Sequence, residues 1–258
     1  MEIIKEIEQF LKDNYDKERA LNEKNYMYSD LKHYGVSTWE GRSFFKQYKK
    51  PLKDLSKKEV LKLVTKLWNT DVHEKRGFAL GILNHRKDLL DITDMPLIEK
   101  MMRESQGWGF LDNLIIPIMP VILDKDKKAY SYLKKWIKDD DYWIRRSALL
   151  AQILFFRENR GDKKLFFTMA KSQFDETWID KLYKDKKDLV NDSFAEKNLL
   201  KSRAKFFIRK AIGWSLREMV QKDPESAFNF LKENKDKMSG LSFKEGSRKL
   251  PDEYKGRL

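Results

Sequence analysis

The 258-residue chain has no cysteine, which excludes disulfides, thiolate metal sites and a cysteine nucleophile. Histidine is nearly as scarce: only His33, His73 and His85 are present, too few to predict a histidine-built metal site. Glycine and proline number 11 and 6, so the chain has few of the residues that break helices. No apolar run approaches the roughly 20 residues needed to span a bilayer, and no membrane partner is expected. The opening Met1-Glu2-Ile3-Ile4-Lys5-Glu6 is acidic and amphipathic, unlike a secretion signal, so the expected compartment is the cytoplasm.

Charge is abundant instead. Lysine and arginine outnumber aspartate and glutamate by 54 to 41, a formal net charge of +13. An excess spread along the chain, with no basic tail, points to a folded surface facing an anionic partner. A lysine-rich genome produces the same bias without a function, and composition leaves both readings open.

Helical periodicity runs through almost the whole chain. Val60, Leu61, Val64, Leu67 and Trp68 fall at i, i+3, i+4, i+7 spacing, as do Ile144, Ala148 and Ala151. No stretch alternates long enough for a sheet, so the fold class is all-α. Ser56-Lys57-Lys58-Glu59 reads as a capping box, and Asp94-Met95-Pro96, Asp139–Asp141 and Asp223-Pro224-Glu225 read as further helix starts. The predicted helices are roughly 2–14, 16–34, 42–49, 56–69, 72–89, 94–103, 108–122, 124–137, 141–158, 162–173, 178–188, 192–201, 203–221 and 224–234. Lys75-Arg76-Gly77, Arg145-Arg146-Ser147 and Arg209-Lys210-Ala211 align as a weak repeat, each a basic pair expected to open a helix. Such a repeat predicts HEAT-like helix pairs stacked into a curved α-solenoid with a basic concave face. The expected organisation is one domain over 1–235, with a polar insertion at 174–203 and a loosely packed tail over 236–258.

Three constellations carry candidate chemistry. Trp108 and Asp112 are four apart and share a helical face, where a carboxylate beside an indole suits a developing cation. The alternative is a structural ion pair beside a core tryptophan. Trp143-Ile144-Arg145-Arg146 follows an acidic cap; either arginine would reach a phosphate or Asp112, or form a salt bridge between repeats. In Phe207–Glu218, Trp214 lies four after Lys210 and three before Arg217, facing a groove or packed in the core. An N-terminal patch from Lys24 to Tyr28 and from His33 to Arg42 mixes aromatics with cations, as a nucleic-acid contact or as a capping helix pair.

In order and wording these segments resemble the AlkD-like DNA alkylation repair family over roughly residues 20–222. The resemblance rests on Tyr26-Met27 followed by Tyr34-Gly35-Val36-Ser37, on Trp108 four before Asp112, on Trp143–Arg146, and above all on Phe207–Glu218. It implies a HEAT-like glycosylase that clasps duplex DNA as a monomer and releases cationic N3- or N7-alkylated purines such as 3-methyladenine and 7-methylguanine. Asp112 would stabilise the sugar cation and activate water, and Trp108 and Trp214 would pack against deoxyribose. Arg145 or Arg146, with Arg146 preferred, would complete the pocket. Tyr26, Tyr28, Lys75, Arg76, Arg209, Lys210 and Arg217 would be DNA contacts. No cofactor or metal is implied. Gly109 and Phe110 depart from the family pattern, which has a paired tryptophan and a further acid between the matched positions. The other readings are a non-catalytic DNA-binding repeat protein and a protein-interaction scaffold.

Overall fold

The computed structural model describes residues 2–105, 107–183 and 197–258, with the side chains of 197 and 198 left aside. Among the described residues every regular element is helical, and the only β feature is an isolated parallel bridge between Lys32 and Val72. No helix among them is long and apolar enough to cross a membrane. The chain forms two compact units, 1–114 and 115–258, and the division falls inside a helix.

The first unit contains α1 (Glu2–Asp13), α2 (Lys17–Met27), α3 (Thr38–Phe45), α4 (Lys49–Lys53), α5 (Lys57–Trp68), α6 (His73–His85), α7 (Met95–Glu104) and the start of α8 (Trp108–Lys125). Phe10 of α1 stacks on Phe44 of α3 at 4.0 Å with the buried Phe78 edge-on, and α5 and α7 each bury an apolar face in the core. Both halves of the Ser56–Glu59 capping box form, and Ser37–Glu40 makes a second one that starts α3.

The helix predicted over 16–34 stops at Met27. Tyr28 takes a left-handed conformation (φ 50°) and its N–H returns to the carbonyls of Lys24 and Asn25, ending the helix. The chain then runs irregularly to Ser37, because Glu74 of α6 captures the backbone amides of Tyr34 and Gly35, both at 2.8 Å. Gly35 (φ 75°) lies against the start of α2, where an added Cβ would meet the Ala20 nitrogen at 2.7 Å, so no side chain fits.

The second unit holds the rest of α8, then α9 (Tyr130–Trp136), α10 (Tyr142–Leu150), α11 (Ile153–Phe156), α12 (Lys163–Lys171), α13 (Thr177–Leu182), α14 (Lys197–Val220), α15 (Pro224–Asn234), α16 (Gly240–Ser247) and α17 (Asp252–Lys255). Every residue of α10 is buried. The long α14 is the axis of this unit, packing on α10, α15 and α16. Ser215 of α14 donates to the Leu149 carbonyl at 2.9 Å, locking it to α10.

Two expectations are corrected here. Arg209-Lys210 lies in the middle of the 24-residue α14 and does not open a helix, because no proline interrupts 197–220 and Gly213 is accommodated within the helix. Much of the separate helix predicted at 192–201, the end of that at 178–188 and the centre of the 174–203 insertion lie outside the described residues. The tail is not loose: Met238, Ser242, Glu245, Gly246 and Leu250 are buried, and Ser242 donates to the Arg209 carbonyl at 2.9 Å. Its sparse apolar periodicity misled, because small residues achieve the fit. An added Cβ on Gly213 would meet Glu245 Cβ at 2.6 Å, so α14 and α16 approach more closely than side chains would allow.

Candidate active site and nucleic-acid contacts

In the first unit, Trp108 opens α8 with 39% of its surface exposed, and Asp112 sits half-buried one turn later. The residues that depart from the expected family wording have visible packing roles. Phe110 is buried beside Trp68 (5.6 Å) and His73 (4.6 Å). Gly109 leaves the space in which the Met27 thioether end rests, and an added Cβ would collide with Met27 Cε. That contact brings the end of α2 against the first turn of α8; Tyr26 (72% exposed) and Tyr28 (48%) stand on either side of Met27 in the chain. Downstream, Pro117 has no N–H for the Asn113 carbonyl, and the Asn84 side-chain amide takes that carbonyl at 3.0 Å.

Lys75 and Arg76 also belong to this unit, but the fold already engages both. Lys75 pairs with Glu8 at 2.6 Å. Arg76 donates to the carbonyls of Thr70 (3.0 Å) and Glu104 (2.9 Å) and lies 5.1 Å from the Trp68 ring. Burial lowers its pKa against the pull of Glu104 and Asp71.

The second unit gathers the remaining candidates around α10 and α14, and it separates the two arginines. Arg145 stacks 3.6 Å over the Trp178 ring, donates to the Asp139 carbonyl at 2.5 Å and to Gln173 at 3.2 Å, and has its pKa lowered by burial. Arg146 donates to the Phe207 carbonyl of α14 at 3.0 Å and lies 5.4 Å from the Phe207 ring. Its charge also reaches Lys210: burial lowers the Lys210 pKa, and Arg217, Arg248 and Arg146 push it further down. A cationic cluster thus surrounds this stretch of α14.

Trp214 is half-buried, and its indole N–H donates to Glu218 at 3.2 Å. Glu218 is a hub that sequence reasoning passed over. It also accepts from Arg157 (2.7 Å) and Gln221 (2.6 Å) and lies 3.6 Å from Arg217. Burial raises its pKa, but Arg157, Lys249 and Arg217 more than offset this and hold it below the ordinary glutamate range. The signal was present as the four-residue step from Trp214 to Glu218. Glu245 of α16 is a second unforeseen acid, paired with Lys210 at 2.5 Å and with Arg217. Glu176 holds Arg209 through two bonds of 2.6 Å. No sequence spacing announces these partners, because they come from distant segments.

The structure therefore assembles Trp108, Asp112, Tyr26 and Tyr28 in one unit, and Arg146, Lys210, Trp214 and Arg217 in the other. Comparison with curated protein sequences gives no significant match. A solved structure described as a predicted DNA alkylation repair enzyme from Enterococcus faecalis is similar in fold, with a TM-score of 0.71 at 18% identity. The similarity covers 92% of this chain and 97% of that one. The profile of the family described as DNA alkylation repair enzyme matches residues 7–250. On that match, which spans almost the whole sequence, the chain belongs to the DNA alkylation repair enzyme family.

Proposed function

We propose that the protein is a monofunctional DNA glycosylase that hydrolyses the N-glycosidic bond of cationic N3- or N7-alkylated purines in duplex DNA. The observation that carries this reading is the Trp108–Asp112 face of α8, a half-buried carboxylate one turn from a partly exposed indole, in a chain of the alkylation repair family.

A purine alkylated at N3 or N7 already bears a positive charge. As the C1′–N bond breaks, its electron pair leaves with the base, which departs neutral without an acid to protonate it. The sugar becomes oxocarbenium-like. Asp112 would stabilise that cation with its negative charge and accept the proton of the water that adds to C1′, leaving an abasic sugar. Trp108 supplies an aromatic face against the deoxyribose. Tyr26 and Tyr28, flanking the Met27 contact with α8, are the nearby backbone contacts. On the second unit, Trp214, with its N–H on Glu218, offers a further aromatic face to the duplex. Arg146, Lys210 and Arg217 contribute positive potential toward phosphate. The internal acceptors of Lys75, Arg76, Arg209 and Arg145 favour structural duty for those four, and Lys210 and Arg217, which share Glu245, would meet phosphate only by loosening that pairing.

Release of free base from methylated duplex DNA, measured for wild type and Asp112→Asn side by side, tests the reading. The expected result is release of 3-methyladenine or 7-methylguanine by the wild type and a loss of about 100-fold or more in the variant. Duplex binding should be retained by both. Wild-type protein that binds DNA and releases no base would make this a non-catalytic DNA-binding protein.

A further inference from the structure

A second cluster in the first unit lies outside the residues assigned to the glycosylase chemistry. Three elements converge on it: Glu23 on α2, His33 in the irregular segment after α2, and Glu74 on the first turn of α6. The potential ligand atoms of these residues, two carboxylate oxygens and one imidazole nitrogen, all lie within 4.8 Å of one another.

Two of the three are deeply buried, His33 at 6% exposure and Glu74 at 8%. Neither ring nitrogen of His33 has a hydrogen-bond partner among the described residues, and neither does Glu74 Oε2. Buried polar atoms without partners cost on the order of 1–3 kcal/mol each, so three in one place call for an explanation. The other Glu74 oxygen is fixed by the amides of Tyr34 and Gly35, which orients Oε2. Arg19 holds Glu23 in the same way, its Nε donating at 2.8 Å. Carboxylates held by outer hydrogen bonds are typical of metal ligands.

We infer that Glu23, His33 and Glu74 form a binding site for one divalent transition ion of the zinc type. On binding, the two carboxylates and the imidazole act in their deprotonated forms and present two negative charges to a doubly charged ion. The nitrogen ligand selects zinc-like ions over magnesium, which takes oxygen donors. In a tetrahedral site, ligands about 2.1 Å from a common ion stand roughly 3.4 Å apart, so atoms at the 4.8 Å limit would draw in by about 1.4 Å on binding, a side-chain adjustment. Three protein ligands leave a coordination position for water. The bound ion would fasten the segment following Tyr28 to α6, a staple in a chain that has no disulfide.

Zinc binding by calorimetry and thermal unfolding, on tag-free protein first stripped with chelator, tests this directly. The expected result is one zinc ion per chain. Tm should rise by roughly 5–10 °C when zinc stands about 100-fold above its Kd, and magnesium should have no such effect. Glu23→Gln, on a half-exposed helix face, should keep the wild-type Tm in chelator and weaken zinc binding at least tenfold. His33→Gln should do the same to affinity. Wild-type protein without a zinc-dependent shift overturns the inference, and so do variants that bind zinc as the wild type does. Neither readout depends on base release, so the result stands apart from the glycosylase reading.

Discussion

At the scale of single residues, the adjacent arginines Arg145 and Arg146 show how the same side chain serves different ends. The Arg145 guanidinium is spent on a ring, a carbonyl and an amide: Trp178 at 3.6 Å, Asp139 and Gln173. A lysine there would keep the charge but lose the planar fork and the stacking. Arg145→Lys should therefore cost about 2 kcal/mol of stability, read from urea unfolding, with base release per folded molecule unchanged. A collapse of release in a variant of wild-type stability would place Arg145 in the catalytic pocket instead. Sequence spacing made Trp108 and Asp112 legible as a pair, because four residues along a helix fix which side chains are neighbours. It left Arg145 and Arg146 unseparated, because the difference lies in Trp178 and Phe207, which arrive from α13 and α14. The same holds for Lys75, Arg209 and Lys210, whose acceptors Glu8, Glu176 and Glu245 are far away in sequence.

At the scale of elements, local signals located most helices. Asp223-Pro224-Glu225 starts α15 where expected, and Ser56 starts α5. Errors came where tertiary contacts override local preference. Nothing in the wording of 28–34 shows that Glu74, forty residues on, will hold that segment out of a helix. The packed tail was hidden for a related reason, since glycines read as looseness where they permit closeness. Gly213 gives a quantitative test. Alanine in a helix interior gains about 1 kcal/mol over glycine. Here the new methyl would stand 2.6 Å from Glu245 Cβ and 2.9 Å from the Ser242 carbonyl, an overlap with backbone that costs about 1–3 kcal/mol. The clash wins, and Gly213→Ala should lower stability by about 1 kcal/mol. A Tm above that of the wild type would show that α16 yields easily.

At the scale of the whole molecule, the charge of +13 made an anionic partner legible, while the number of cations free to meet it was not. The formal charge already counts the acids; what the ion pairs reduce is the number of the 54 lysines and arginines that can turn to phosphate. Duplex affinity should fall linearly in log–log with salt at a slope of about −5, as for roughly six phosphates. Affinity indifferent to salt would remove the duplex from the reading. The all-helical class was fully legible, and family membership follows from the match over 7–250. Finally, the pairing of Glu245 with Lys210 and Arg217 bears on how the protein is made. Synthesis proceeds from the N-terminus, so α14 leaves the ribosome well before the acid that neutralises it. Until α16 emerges, Lys210 lacks its acid, Arg217 has only Glu218, and a face of α14 is uncovered. A product released early would share that defect, which makes it a natural client for chaperones and quality-control proteases.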